Sequence, residues 1–364
     1  MTGPAFERFR LLNRTEEGSL QYCSNCKNCD ISCPSGVPVS TFNMLARAEY
    51  CKTHKPPLRD WFVSHGEKLA RGTSFIPSFL RNFGMNNPVT RFILDIAGIH
   101  RKAPLPPFAS ETFIQRFRKI VRKERVEKKV VFFPGCFVNI YRPQIGTDLV
   151  ELLRMAGYEV IVPETFICCG LPLISNGFAH EAEKHAVQNS LELMKWAAQG
   201  VYVLVVCPSC ALMLKREYKE LFPDTACGGA DPSYVVDACE FLSEIIEKGE
   251  LIPGYKESGI DVIYHAPCHL RAQGMGKTGL ELARRISGVT VTDADAGCCG
   301  ISGSYGFKKD KYYIGMSIGL ELFDTINRSG AGVVITECGT CQTQIHHGTG
   351  LSVIHPVSFL RYYC

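Results

Sequence analysis

The sequence Cys168-Cys169-Gly170 recurs as Cys298-Cys299-Gly300, and both copies carry the same companions. Cys136 precedes the first copy in Pro134-Gly135-Cys136, and Cys268 precedes the second in Ala266-Pro267-Cys268. Cys207-Pro208-Ser209-Cys210 follows the first, and Cys338-Gly339-Thr340-Cys341 follows the second. Each copy reads C, then CCG, then CxxC. Between the first cysteine and the pair lie 31 and 29 residues, and between the pair and the CxxC 37 and 38. Spacing this regular marks an internal duplication, so the fold must contain one unit twice.

Short apolar runs at 130–133, 158–162 and 201–206 alternate with helical periodicity at 145–156 and 181–196. The second copy repeats the order, with runs at 261–264, 289–292 and 333–336 and helices at 280–286 and 309–326. Strands alternating with helices predict parallel βαβ units. Ligands of such sheets collect beyond the C-terminal ends of the strands. Every thiol group follows a strand by a few residues, which predicts that each cassette converges on one sheet edge. The tails match too, Val235-Val236-Asp237 against Val353-Ile354-His355. Cys239 then falls opposite Val357, and it reads, with Cys227, as structural.

The chain holds 18 cysteines in 364 residues. Residues 1–19 have no apolar signal-peptide core, so a reducing compartment is expected, where clustered thiols read as metal ligands. No apolar run reaches the about 18 residues of a membrane span. Residues 1–129 carry 22 Lys and Arg against 11 Asp and Glu, and the remainder 18 against 25. The basic first third suits an anionic lipid surface, an acidic partner or plain solvent. No basic-aromatic motif accompanies it, so nucleic acid is not expected.

Cys23-Ser-Asn-Cys26-Lys-Asn-Cys29-Asp-Ile-Ser-Cys33-Pro34 is a C-x2-C-x2-C-x3-C-P run. This is the bacterial ferredoxin pattern, in which three thiolates wrap one [4Fe-4S] cluster and the fourth cysteine serves another. No second such run occurs, so the cluster of Cys23, Cys26 and Cys29 lacks its fourth thiolate and Cys33 lacks its cluster. Cys51 and Cys364 are the substitutes to consider, and an N-terminally truncated chain is the simpler expectation. Residues 40–128 read as helices cut short by prolines. Segment 89–102 has an apolar face and a basic end, fitting either packing on the later domains or a membrane interface. Residues 103–110 read as a linker, and 111–129 as a charged connecting helix.

The expected fold class is α/β, a mostly helical half-ferredoxin segment followed by two duplicated cysteine-rich domains. The divisions are 1–39 for the ferredoxin-type motif, 40–128 for the helical region, and 129–250 and 258–364 for the two domains. Five thiols per cassette exceed the four of structural zinc, and an adjacent cysteine pair chelates one ion poorly. A larger iron–sulfur cluster fits Cys136, Cys168, Cys169, Cys207 and Cys210, and likewise Cys268, Cys298, Cys299, Cys338 and Cys341. Zinc and dithiol redox chemistry remain the alternatives. Gly170 and Gly300 suit loops that need positive φ around such a group. His265 and His269 flank Cys268 and read as packed or surface side chains, with donation to a cluster or ligation as the other use. Gly303-Ser304-Tyr305-Gly306 lacks the phosphate-binding fingerprint, and no nucleotide or flavin site is expected.

The cassettes resemble the CCG domains of heterodisulfide reductases and of iron–sulfur subunits in flavin-linked dehydrogenases. Three stretches narrow the likeness: Pro134-Gly-Cys136-Phe-Val-Asn139, Cys168-Cys-Gly-Leu-Pro-Leu-Ile-Ser-Asn-Gly177 and Cys298-Cys-Gly-Ile-Ser-Gly-Ser-Tyr-Gly-Phe-Lys308. With Arg142-Pro-Gln-Ile-Gly146 and Leu58-Arg-Asp-Trp-Phe-Val-Ser-His65, they resemble the iron–sulfur, CCG-domain subunits of anaerobic glycerol-3-phosphate dehydrogenases. The resemblance implies an electron-transfer subunit, not catalytic alone, that passes electrons from flavoprotein dehydrogenase subunits to menaquinone. It also implies a cytoplasmic protein, peripheral on the cytoplasmic face of the inner membrane. That family carries two ferredoxin motifs, and only the second matches here, at Cys23, Cys26, Cys29 and Cys33. A heterodisulfide reductase-like thiol–disulfide oxidoreductase and an iron–sulfur subunit of a lactate or glycolate oxidase are the alternative functions.

Overall fold

The computed structural model describes residues 20–120, 127–254 and 259–364. The irregular lead-in expected before residue 20, and part of the connecting helix expected at 111–129, lie outside these residues. Residues 23–38 form a loop with one helical turn, Asn28–Ile31, packed on α1 (Val39–Thr53). Four short helices follow: α2 (Leu58–Ser64), α3 (Gly66–Gly72), α4 (Ser78–Asn86) and α5 (Pro88–Ile96). The prolines set their starts. Pro57 and Pro77 precede α2 and α4, and Pro88 opens α5, where its missing N–H costs nothing. Asn87 caps α5 by accepting the Thr90 N–H at 2.9 Å. Helix α6 (Phe113–Ile120) leads into the cysteine-rich part.

The first unit contains β1 (Lys129–Phe133), α7 (Pro143–Met155), β2 (Glu159–Ile161), α8 (Ala179–Ala197), β3 (Val203–Val205), β4 (Val235–Asp237) and α9 (Ala238–Glu247). The second contains β5 (Ile260–Tyr264), α10 (Thr278–Arg284), β6 (Val289–Asp293), α11 (Tyr312–Arg328), β7 (Val333–Ile335), α12 (Gly339–Thr349), β8 (Ser352–Ile354) and α13 (Pro356–Tyr362). Both sheets are wholly parallel, ordered β2-β1-β3-β4 and β6-β5-β7-β8. The matching tails of the sequence prove to be the fourth strands, β4 and β8.

The central strands are buried on both faces, as parallel strands require. Val130 and Phe132 face one core, while Val131 and Phe133 face another. Val262 and Tyr264 of β5 join the same core as Val130 and Phe132, and Ile263 faces a third. Leu152 of α7, Leu242 of α9, Leu282 of α10 and Leu360 of α13 are wholly buried in that shared core. The two units are therefore fused through a common helical layer.

Polar groups tie the same seam in a pseudo-symmetric way. Asp237 caps α9 by accepting the Cys239 N–H at 2.9 Å and takes the Thr278 hydroxyl of the second unit at 3.2 Å. His355, its counterpart, caps α13 through Nδ1, and its Nε2 donates to Val206 O of the first unit at 3.0 Å. Burial pushes the His355 imidazole down from 6.5 to about 4, so it is neutral near pH 7. The unfolded state then binds the extra proton between those values, and stability is lost as pH falls from 6.5 toward about 4. His355→Asn keeps a capping acceptor and removes this titration. It is expected to narrow the gap between urea midpoints measured at pH 7 and pH 5; an unchanged gap would exclude His355 as a source of acid lability.

Candidate metal centres

A sheet ordered 2-1-3-4 has its topological switch between β1 and β3, and a crevice opens beyond the C-terminal ends of those strands. Pro134-Gly135-Cys136 leaves β1 there, and Cys207 leaves β3 as the N-cap of helix Pro208–Leu212, which carries Cys210. The connection from β2 brings Cys168 and Cys169 to the same crevice. The second sheet repeats this with Cys268 after β5, Cys338 after β7 and the pair Cys298-Cys299 after β6. Two glycines permit the approach. Gly135 has φ +62°, and a Cβ there would lie 3.1 Å from Cys210 Sγ. Gly300 has φ +82°, and a Cβ there would lie 1.9 Å from the Gly315 carbonyl of α11, so no side chain fits.

In each unit the five thiols form an unbroken run. The thiols are free and linked by hydrogen bonds, Cys136 with Cys168, Cys168 with Cys169, Cys210 donating to Cys169 at 3.5 Å, and Cys210 with Cys207. Cys268, Cys298, Cys299, Cys341 and Cys338 follow the same order, with Cys299 and Cys341 sulfurs 3.2 Å apart. Hydrogen bonds from Cys268 and Cys299 pull Cys298 down to about 2, and a bond from Cys341 pulls Cys338 down to about 6. Cys136 and Cys169 likewise hold Cys168 well below the usual thiol value. These lowered thiols favour the thiolate, the form that binds metal. His185 Nδ1 bonds Cys168 O at 3.0 Å, and the Tyr218 hydroxyl donates to Cys169 O at 2.9 Å.

The second unit adds His265, which lies with Cys299 and Cys341 in a group whose ligand atoms are within 4.8 Å of one another. Its Nε2 has no partner among the described residues. From the sequence this histidine read as a packed or surface side chain ahead of a ligand, since it flanks the leading cysteine in the second cassette only; the first unit has Phe133 at the same place.

Cys29 stands near Cys23 and Cys26, and burial, then Asp30, push its thiol up to about 11. Cys33 accepts the Val37 N–H at 3.4 Å. The two other thiols considered as substitutes are placed apart from this group: Cys51 against Gly177, and Cys364 beside Gly254. Asn25 and Lys27 adopt left-handed backbone, with φ 57° and 65°, which curls the loop. Lys27 forms an ion pair with Glu217, both wholly buried. Glu217 ends a π-helical turn, Met213–Glu217, downstream of Cys210. His269 Nε2 bonds Asn25 O at 2.8 Å, and its Nδ1 bonds Ser209 Oγ at 2.8 Å. One imidazole beside Cys268 therefore touches all three thiol motifs. Neither this bridge nor the Lys27–Glu217 pair was readable in the sequence, since His269 and Asn25, like Lys27 and Glu217, are far apart in the chain.

Residues 130–215 and 262–346 match the CCG family of cysteine-rich domains. One subunit of the anaerobic glycerol-3-phosphate dehydrogenase of Escherichia coli strain K12 is 36% identical over 364 residues, covering 98% of this chain and 90% of the relative. The chain belongs to that subunit's family. A subunit of the fumarate reductase (CoM/CoB) of Methanothermobacter marburgensis is 31% identical over 60% of this chain and 41% of its own length. Lactate utilization protein A of Bacillus subtilis is 30% identical over 58% of this chain and 88% of its own length.

As a member of this glycerol-3-phosphate dehydrogenase subunit family, the chain is an iron–sulfur protein with two CCG domains. The donor chemistry fits. Each cassette presents five sulfurs from two strand ends and one connection, more than a zinc site uses. The N-terminal loop depends on its own anchor. Lys27→Met leaves Glu217 buried and unpaired, which is expected to cost about 3–5 kcal/mol. Adding Glu217→Leu is expected to recover most of that loss, because an apolar pair replaces the ionic one. Urea midpoints of the two variants, taken anaerobically, check this; a double variant no more stable than the single one would sink it.

Proposed function

We propose that this chain is the electron-relay subunit of a flavin-linked dehydrogenase, with glycerol-3-phosphate as the substrate oxidised by its flavoprotein partners and menaquinone as the acceptor. The observation that carries it is the meeting of three thiol motifs around His269. Cys23, Cys26, Cys29 and Cys33 are the proposed residues of the [4Fe-4S] motif. Cys136, Cys168, Cys169, Cys207 and Cys210, and Cys268, Cys298, Cys299, Cys338 and Cys341, are the proposed ligands of the cassette clusters. Bound clusters supply one-electron carriers. The protein's own share is positional: strand ends fix the thiols, left-handed glycines let backbone close around them, and His269 holds the three motifs in one block. Cys29 is exposed, which gives the flavoprotein partner a point of access.

A peripheral place on the cytoplasmic face of the inner membrane is supported by α4 and α5. Phe79, Phe83, Val89, Phe92, Ile93 and Ile96 are all exposed, Phe83 at 72% and Ile96 at 70%. Arg71, Arg101 and Lys102 lie exposed just before and after these helices. Apolar side chains flanked by basic ones suit an interfacial helix on anionic lipid. No helix among the described residues is long and apolar enough to cross a membrane.

Cys26→Ser is expected to abolish glycerol-3-phosphate-dependent quinone reduction by the assembled enzyme while flavin reduction by substrate persists. Stopped-flow spectra separate the two, and undiminished quinone reduction would refute the relay. Phe83→Asp combined with Phe92→Asp is expected to weaken sedimentation with vesicles rich in phosphatidylglycerol by about tenfold or more, since two aromatic side chains lose their apolar contact. Unchanged partition would remove α4 and α5 from the membrane contact.

A further inference from the structure

The thiol motifs and the helical region enclose a cavity of about 760 Å³. This lies within the range of about 300–1,000 Å³ usual for small-molecule pockets. Cys136, Cys168 and Cys338 line one part of it, and Leu80, Met85 and Leu94 of α4 and α5 line another. Some of the volume is the space bordered by the first cassette's sulfurs. The rest is walled by mainly apolar side chains and runs toward α4 and α5. Leu80 belongs both to the cavity wall and to the exposed apolar face, so the two are continuous.

Most charged groups in the wall are already engaged. Glu67 pairs with Arg71 at 2.6 Å and Lys68 pairs with Glu181. Arg81 has no carboxylate partner among the described residues, and its guanidinium lies 4.9 Å from the Phe108 ring centre. Neutral hydrogen-bonding groups are left over, among them the buried Ser64 hydroxyl, which has no partner among the described residues. Asn25 is 4% exposed, lines the cavity, and has neither Oδ1 nor Nδ2 paired among the described residues. The Tyr141 phenol also lines it; burial pushes its pKa up, so it remains a donor. Buried amides without partners are rare and point to a missing one.

We propose that this cavity is the acceptor site and takes the ring of a lipophilic quinone. A carbonyl oxygen accepts from Asn25 or Tyr141, and the prenyl tail leaves past Leu80 toward the apolar face of α4 and α5. The inference rests on the relay reading and gives it a location. Conversion of the bound quinone to its quinol takes two electrons, which originate in the reduced flavin of the partner, and two protons from solvent. A neutral ring with two acceptor oxygens and an apolar tail matches the wall in its apolar sides, its neutral donors and its exit onto a face suited to lipid.

Gly84 of α4 offers a direct test. It lines the cavity, and a Cβ there meets no heavy atom within 4 Å, so a side chain extends into open space. In the reconstituted complex, Gly84→Trp is expected to weaken binding of 2-heptyl-4-hydroxyquinoline N-oxide, read by quenching of the probe's fluorescence, by about tenfold or more. Leu191→Trp, an exposed change on α8, is expected to bind the probe as wild type does. Illumination of wild type with an azido-naphthoquinone is expected to label peptides from 80–94 or 134–141. Labelling confined to other peptides, or equal probe affinity in Gly84→Trp, would overturn the site. If quinol still forms in that case, the relay stands and only the location fails; if wild type forms no quinol, the relay itself falls.

Discussion

Two parallel strands that end side by side, β1 with β3 and β5 with β7, set the position of everything else. Their pairing is direct, Phe133 opposite Val205 and Tyr264 opposite Ile335. Whatever follows the two strands must share one crevice. The first cysteine and the CxxC of each cassette occupy those places. The CCG pair enters from the edge strand by a longer connection, so its position is the one that needs a device. That device is the glycine. At Gly300 the backbone approaches α11 so closely that a Cβ would overlap the Gly315 carbonyl, and the pair is thereby pressed into the crevice.

The shared core does the corresponding work between the units. Val130 and Phe132 of one sheet and Val262 and Tyr264 of the other point into a single helical layer. A shift of one unit would uncover leucines from four helices, so the two crevices are held in fixed relation. The cap residues Asp237 and His355 reach across the same seam, and His355 contacts the residue just before Cys207. Fold stability and thiol placement therefore draw on the same contacts.

Much of this was legible in the sequence. The duplication, the α/β class and the grouping of ten cysteines into two fives followed from spacing and from short apolar runs alternating with 3.6-residue periodicity. The ferredoxin-type loop was legible as a motif, but its docking was not. Lys27 read as one of many lysines, and its burial against Glu217 depends on a π-helical turn with no sequence signal. His269 was seen but not placed, because its partners, Asn25 and Ser209, are adjacent only after folding. The apolar face of 89–102 was legible too, yet periodicity cannot say what covers it; Phe92, Ile93 and Ile96 remain uncovered. Cys51 and Cys364 were weighed as ligands only because a lone cysteine carries no positional information.

The two cassettes began as copies but are not equivalent surroundings. All five sulfurs of the second belong to buried residues, whereas Cys136 and Cys207 of the first are only half-buried and border the cavity. The second also has the buried His265 within ligand reach, where the first has Phe133. Iron–sulfur potentials follow burial, hydrogen bonding to sulfur and solvent access as much as ligand identity. Matching thiol sets in unlike surroundings would tune any clusters they hold differently. The duplication thus offers two sites of unlike environment from one structural plan. The one that opens toward the proposed acceptor is the one whose thiols the fold leaves less enclosed.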